Sequence, residues 1–288
     1  MAGVGVRVRP AAVAGTWYPG SSGALTQELD AYLNAADVTP SSGVRGIIAP
    51  HAGLMFSGPV GAHAYKMVSG GAYDVAFLVG PAHFTAFEGV SVWPEGAFDS
   101  PLGPVPVHEE AASEMLQSPI VRDIQSAHKR EHSLEMQLPF LRHLLPDVPI
   151  VPMLIGHQTR ETIQSLAQVL AAAARPRRAL LVASTDLSHY WDARTAAGLD
   201  ARVQEYVERF DADGLLSLFE TYPEDERGRY VACGGGAAIA IMMAARLLGA
   251  TAGRVLKYAH SGQVSGDYDG VVGYLAAAFG AFPDRNVH

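Results

Sequence analysis

The sequence predicts an α/β fold: one domain with a central, largely parallel or mixed sheet flanked by helices. Short aliphatic and β-branched runs alternate with longer segments of helical periodicity, the pattern of strand-helix-strand units. No linker-like stretch divides the 288 residues, so 1–288 reads as a single domain. Hydrophobic residues make up 49% of the chain and charged residues 17%, enough apolar surface to cover a sheet on both faces.

Taken in order, strands are expected at Val44 to Ala49, Asp74 to Gly80, Val148 to Ile155, Ala179 to Ser184, Arg254 to His260 and Gly270 to Phe279. Each is a nearly unbroken apolar run, as in strands buried on both sides. Helical spacing runs through Leu134 to Leu145, where Pro139 is expected to kink the helix. A second helix, Thr159 to Ala174, opens on Thr159 as a cap with Glu161 in its first turn. Thr195 to Phe210 is a third, and Gly235 to Leu248 a fourth, closed by Gly249. The Gly- and Pro-rich stretch from Trp93 to Pro106 reads as a long surface loop.

Several function classes are excluded. A net charge of −8, with the 21 Lys and Arg scattered apart from Arg175-Pro176-Arg177-Arg178, argues against nucleic acid as a partner. The longest apolar run, Ala237 to Leu248, is interrupted by Arg246 and falls short of the roughly 20 residues of a membrane span. A single cysteine and the lack of a leader-like start point to the reducing cytoplasm.

Four expected strands run straight into a histidine: Ile47-Ile48-Ala49-Pro50-His51, Leu78-Val79-Gly80-Pro81-Ala82-His83, Leu154-Ile155-Gly156-His157, and Val182-Ala183-Ser184-Thr185-Asp186-Leu187-Ser188-His189. In open α/β sheets ligands bind beyond the carboxyl ends of the strands, so these residues converge. His51 and His83 share Pro and Gly punctuation that fixes a turn and aims an imidazole; His157 does not, and reads as a loop residue. His63, His108, His128, His143 and His260 lack strand-end context and read as surface or core. Asp186 beside His189 suits an acid-base group or a third ligand, or else a helix cap and a ring packed on Trp191.

Cys233 lies just before the helix that opens near Gly235, where the helix dipole favours a thiolate. Two imidazoles and a thiolate suit iron, copper or zinc. The following glycines are no phosphate loop, since no Lys-Ser/Thr follows them. A small buried hydrophobe remains the plain reading of Cys233. In Glu131-His132-Ser133-Leu134-Glu135, His132 and Glu135 would share a helix face. Three readings compete there: a glutamate orienting a histidine, a helix-start signal, or a zinc-protease helix. The last fails because the residue four after His132 is Met136.

With these residues assembled, the chain resembles the Memo family, whose bacterial and archaeal relatives go by AmmeMemoRadiSam system protein B. The likeness covers nearly the whole chain. It runs through Arg9-Pro10-Ala11, Gly15-Thr16-Trp17-Tyr18-Pro19, Ala49-Pro50-His51-Ala52-Gly53, Gly80-Pro81-Ala82-His83, Glu131-His132-Ser133-Leu134-Glu135, Ser184-Thr185-Asp186-Leu187-Ser188-His189, Cys233-Gly234-Gly235, Ser265-Gly266-Asp267 and Val272-Gly273-Tyr274.

The resemblance implies a fold similar to the class III extradiol dioxygenases, which hold Fe(II) with two histidines and a carboxylate and use another histidine as acid-base group. Carried over, it implies that His51, His83 and Cys233 bind Fe(II) or copper and that His189 moves protons, oriented by Asp186. His132 would hydrogen-bond the substrate, and Trp17 and Tyr18 would wall the cleft against a small aromatic or peptide ligand. The cysteine departs from the dioxygenase pattern, and a softer thiolate alters redox behaviour, so ring cleavage is not inherited. The implied activity is a metal-dependent oxidoreductase. The alternatives are a non-catalytic metal- or peptide-binding accessory of a radical-SAM-associated modification system, and a cysteine hydrolase pairing Cys233 with His189.

Overall fold

The computed structural model describes residues 7–282; the ends of the single-domain reading, 1–6 and 283–288, lie outside the described residues. Four parallel strands form the centre of a nine-stranded sheet. Val44–Ala49 pairs with Ala179–Ser184, which pairs with Val75–Pro81, which pairs with Ile150–Ile155. All but Arg45 in these four strands are buried, which is why they read as unbroken apolar runs. The sheet is mixed at both flanks. Val271–Gly280 runs antiparallel to Val44–Ala49 and carries Ala252–His260 on its other side, while Val90–Val92 runs antiparallel to Ile150–Ile155.

Helices cover both faces. Arg160–Ala174 buries Ile163, Leu166 and Leu170, and its cap is the expected one, Thr159 accepting a hydrogen bond from the Thr162 N–H at 3.2 Å. Gly235–Leu247 packs against it, buried along most of its length. Among the described residues no single helix is long and apolar enough to cross a membrane; one pair, bent by 81°, passes on length and composition, and its longer member is this core helix.

Four expectations change. Pro139 does not kink a long helix: a 3-10 turn, Glu135–Gln137, leads into Leu138–Leu144, and Pro139 sits in the first turn, where its missing N–H has no partner to lose. The third helix begins earlier, at Ala193, because Asp192 caps it by accepting from the N–H groups of Arg194 and Thr195. The segment from Trp93 to Pro106 is not a surface loop. Its strands Ala97–Phe98 and Val105–Pro106 join Val8–Arg9 in a small three-stranded sheet, with Trp93, Phe98 and Val105 buried. Finally, Ser22–Ala35 and Leu54–Met67 are helices that the periodicity did not reveal. The second contains Pro59 and three glycine or serine breaks, and ten of its residues are buried, so no polar face marks it.

Candidate metal centre

His51 follows Val44–Ala49, His83 follows Val75–Pro81, and Asp186 and His189 follow Ala179–Ser184, the strand between those two. All four therefore open onto one cleft of about 600 Å³, also lined by Trp17, His132, Tyr190, Arg229 and Cys233. The rings of His51 and His83 meet edge to face, centroids 5.2 Å apart, and His132 stacks on His83 at 4.7 Å. One ligand nitrogen from each of His51, His83 and His132 lies within 4.8 Å of the others, a group able to hold a metal ion. The thiol of Cys233 stands 3.2 Å from His51 Nε2.

The imidazoles of His83, His51 and His189 each have one edge held. His83 Nδ1 donates to Glu131 Oε1 at 2.9 Å, and its backbone N–H to Oε2 at 2.6 Å. The same carboxylate accepts the backbone N–H groups of His132 and Ser133, both at 2.9 Å. His51 Nδ1 lies 2.9 Å from Ser184 Oγ. His189 Nδ1 faces the carbonyls of Leu187 and Gly228 at 2.7 and 3.0 Å; since carbonyls only accept, Nδ1 carries the proton and Nε2 is left free. Ligand histidines ordinarily have their second nitrogen anchored in this way.

The charges follow from burial and these contacts. Burial disfavours a charged Glu131, but hydrogen bonds from His83 outweigh it and bring the carboxyl down to about 2. Burial also opposes charge on His83, yet the facing Cys233 and Glu131 raise it to about 10. Burial pushes the Cys233 thiol up, and the His51 and His83 imidazoles overcome this and hold it well below the ordinary thiol range. The same pairing raises His51 against its own burial. His132 goes the other way, down to about 4, through burial and the neighbouring His51. Without a metal, the site thus favours thiolate beside imidazolium.

Gly234 makes the approach of Cys233 feasible. A Cβ there would sit 2.5 Å from the Ser184 carbonyl and 3.0 Å from the Pro81 ring. Cys233 is half-buried, its sulfur also accepting the Asp186 N–H at 3.4 Å.

Several expected placements need correction. Tyr18 is not a cleft wall: it is 4% exposed and its hydroxyl donates to Glu135 at 2.8 Å, whereas its neighbour Trp17, 38% exposed, lines the cleft against His132. Asp186 does not orient His189. Its carboxylate, raised by burial, accepts the His51 backbone N–H at 2.8 Å, and the two carbonyls orient His189 instead. His132 and Glu135 do not share a face, because the chain turns between them rather than forming a regular helix; Glu135 points to Arg9, and His132 to the cleft. The imidazole paired with the thiol is that of His51, not His189, which removes the geometry of a Cys233–His189 hydrolase.

His157 sits apart, 3.3 Å from Glu224. Glu131 appeared in the sequence only as an orienting or helix-start residue, and Ser184 not at all as a site residue. Their side-chain directions depend on pairing across the fold, though the adjacent strand-end motifs carried both.

The sequence has many relatives of the same kind. A MEMO1 family protein of Nitrosopumilus maritimus is 32% identical over 279 residues, covering 94% of this chain and 99% of that one. One from Methanothermobacter thermautotrophicus is 34% identical over 278 residues, 93% and 98% of the two chains, and one from Thermotoga petrophila is 36% identical over 282 residues, again 93% and 98%. Among solved structures, an uncharacterized protein of Escherichia coli K12 aligns with 70% of this chain and 86% of that one at 15% identity and a TM-score of 0.45. The family model described as Memo-like protein matches residues 9–278, and this chain belongs to that family.

Proposed function

We propose that this chain is a metal-dependent oxidoreductase, oxygenase-like in kind, with iron or copper held by His51, His83 and Cys233. The observation that supports it most is the convergence of three imidazoles, each from a different strand end or turn, beside a thiol whose proton is easily lost. Such a donor set suits iron or copper, which would supply one-electron chemistry and activation of a small oxidant. His189 presents Nε2 to the cleft, with Nδ1 committed to carbonyls, and so holds or accepts a proton there. Trp17 walls the cleft for an apolar or aromatic substrate. His132 contacts the substrate, or replaces Cys233 as third ligand where a nitrogen is preferred.

Anaerobic titration with Fe(II) and Cu(I), read by elemental analysis, tests the ligand set. The expected result is one ion per chain in the wild type and loss of stoichiometric binding in His51→Ala and Cys233→Ser. Full retention in both variants sinks the assignment. Cobalt substitution adds a second reading: a thiolate-to-cobalt charge-transfer band in the wild type, absent from Cys233→Ser.

The residues at the mouth of the cleft support a second reading, a non-catalytic metal- or peptide-binding accessory serving a radical-SAM-associated system. Tyr190, 72% exposed and in the left-handed backbone region at φ 63°, and Arg229 line the cleft and offer a peptide an aromatic ring and a cation. Turnover of a small phenol by the iron-loaded protein, abolished by His189→Ala, decides for the enzyme. Metal binding without turnover across a phenol panel decides for the accessory.

A further inference from the structure

We infer that Ser184 is a positioning residue that fixes the tautomer of His51, so that the lone pair of Nε2 faces the cleft. This rests on the reading of His51 as a metal ligand, but the structural step does not need the metal.

Ser184 ends its strand directly beside Ala49, two residues before His51, so its side chain meets the ring from behind. Its hydroxyl has one proton and three neighbours. Ser184 Oγ lies 2.6 Å from the backbone carbonyl of Ser133, which can only accept. Gln137 Nε2 lies 2.7 Å from the same oxygen and 3.1 Å from the Pro50 carbonyl, while Gln137 Oε1 accepts from the Tyr65 hydroxyl at 2.9 Å. The Pro50 carbonyl, which can only accept, fixes which end of the amide is NH₂, so Gln137 donates to Ser184. With its proton sent to Ser133 and one lone pair taken by Gln137, Ser184 can only accept from His51. His51 Nδ1 must therefore carry the hydrogen.

All three polar partners are buried, so water does not compete for these bonds. The hydroxyl is a neutral partner, whereas Glu131 behind His83 is anionic. The two histidines thus become donors of unequal strength, His83 the more basic.

The tautomer is read by two-bond proton–nitrogen correlation spectra of the full chain with nitrogen-15-labelled histidine. Cys233→Ala is included to remove the thiolate that competes for the other ring edge. The pH is set alkaline so that the ring is neutral. His51 is expected as the Nδ1–H form when Ser184 is present and when it is replaced by Thr. It is expected to shift to Nε2–H, the form preferred by a free imidazole, in Ser184→Ala and in Ser184→Val, which matches the shape of Thr without its hydroxyl.

With Cys233 in place, zinc affinity by competition titration is expected to fall about 10–100-fold in Ser184→Ala and to recover in Ser184→Thr. An unchanged Nδ1–H tautomer in folded Ser184→Ala or Ser184→Val overturns the inference. If the tautomer shifts as stated but no variant, wild type included, takes up metal, Ser184 keeps its positioning role and the oxidoreductase reading falls alone.

Discussion

His128 shows how much a single buried side chain here can tie stability to pH. It is almost wholly enclosed, Nε2 lies 3.0 Å from the Ser91 hydroxyl, and Nδ1 has no partner among the described residues. Burial, reinforced by the neighbouring Arg9, lowers it to about 3, from an ordinary value of 6.5. The folded state therefore refuses a proton that the unfolded chain accepts. Its contribution is fully present above pH 6.5 and is lost as pH falls from there towards 3, at up to about 1.4 kcal/mol per pH unit. His128→Gln, which keeps a hydrogen bond to Ser91 but cannot titrate, is expected to flatten the acid limb of urea-unfolding stability by about that slope. An unchanged limb would place the acid sensitivity elsewhere. The sequence marked His128 only as surface or core, because its enclosure, and the Arg9 that reinforces it from 119 residues away, come from the fold. His51, His83, His189 and Cys233 were legible because a strand end or helix start next to each fixes where it emerges. Tyr18 was misjudged because Trp17 and Tyr18 close a tight turn begun at Val13, and no periodicity says which of two adjacent turn residues faces in.

At the scale of elements, a buried clamp sets the distance between the first described segment and the loop that carries His132. The guanidinium of Arg9 pairs with Glu135 and also donates to the backbone carbonyls of His128 and Glu131. Glu135 additionally accepts from the backbone N–H groups of Ala12 and Val13, at 2.7 and 2.9 Å, and from Tyr18. This network holds Trp17 over His132, ring centroids 4.4 Å apart, and hence one wall of the cleft. Removing one partner leaves the other charge buried and unpaired, which costs about 3–5 kcal/mol. Glu135→Ala is expected to lose that much in denaturant unfolding, whereas Tyr18→Phe loses only one bond to a charged group, about 1.5–3 kcal/mol. Equal losses in the two variants would contradict the clamp. A companion test addresses the close turn at Cys233. Gly234→Ala must push the loop off Ser184 and Pro81, so it should weaken metal uptake more than stability. The sequence suggested a helix over these residues, and the helix formers were there. The pairing of Glu135 with a residue 126 positions away, not helical spacing, decides the local turn.

The whole molecule explains why three strand-end histidines form a site and the fourth does not. Neighbouring strands lie about 4.8 Å apart, so His51 and His83, on the two strands flanking Ala179–Ser184, start about 10 Å apart. Their loops close that gap over the middle strand. His157 leaves Ile150–Ile155, one strand further out, and turns to Glu224 instead. The turn punctuation had already set His157 aside in the sequence; strand order, which one sequence does not give, supplies the physical reason. The same topology predicts how metal and fold are coupled. The proposed ligands come from segments near residues 51, 83 and 233 that meet only in the folded chain, so metal binds the native state alone. At a free metal concentration 100 times Kd the gain is about 2.7 kcal/mol. Binding must also displace protons, since His83 is raised to about 10 and His51 is raised by the thiolate beside it. Affinity should therefore climb with pH across the neutral range, up to about tenfold per unit for each proton released. Zinc calorimetry in buffers of different ionisation enthalpy counts those protons directly. A proton count of zero at neutral pH, with affinity flat in pH, would mean that the imidazoles are already neutral and that the thiolate–imidazolium pairing drawn from the geometry does not govern the site.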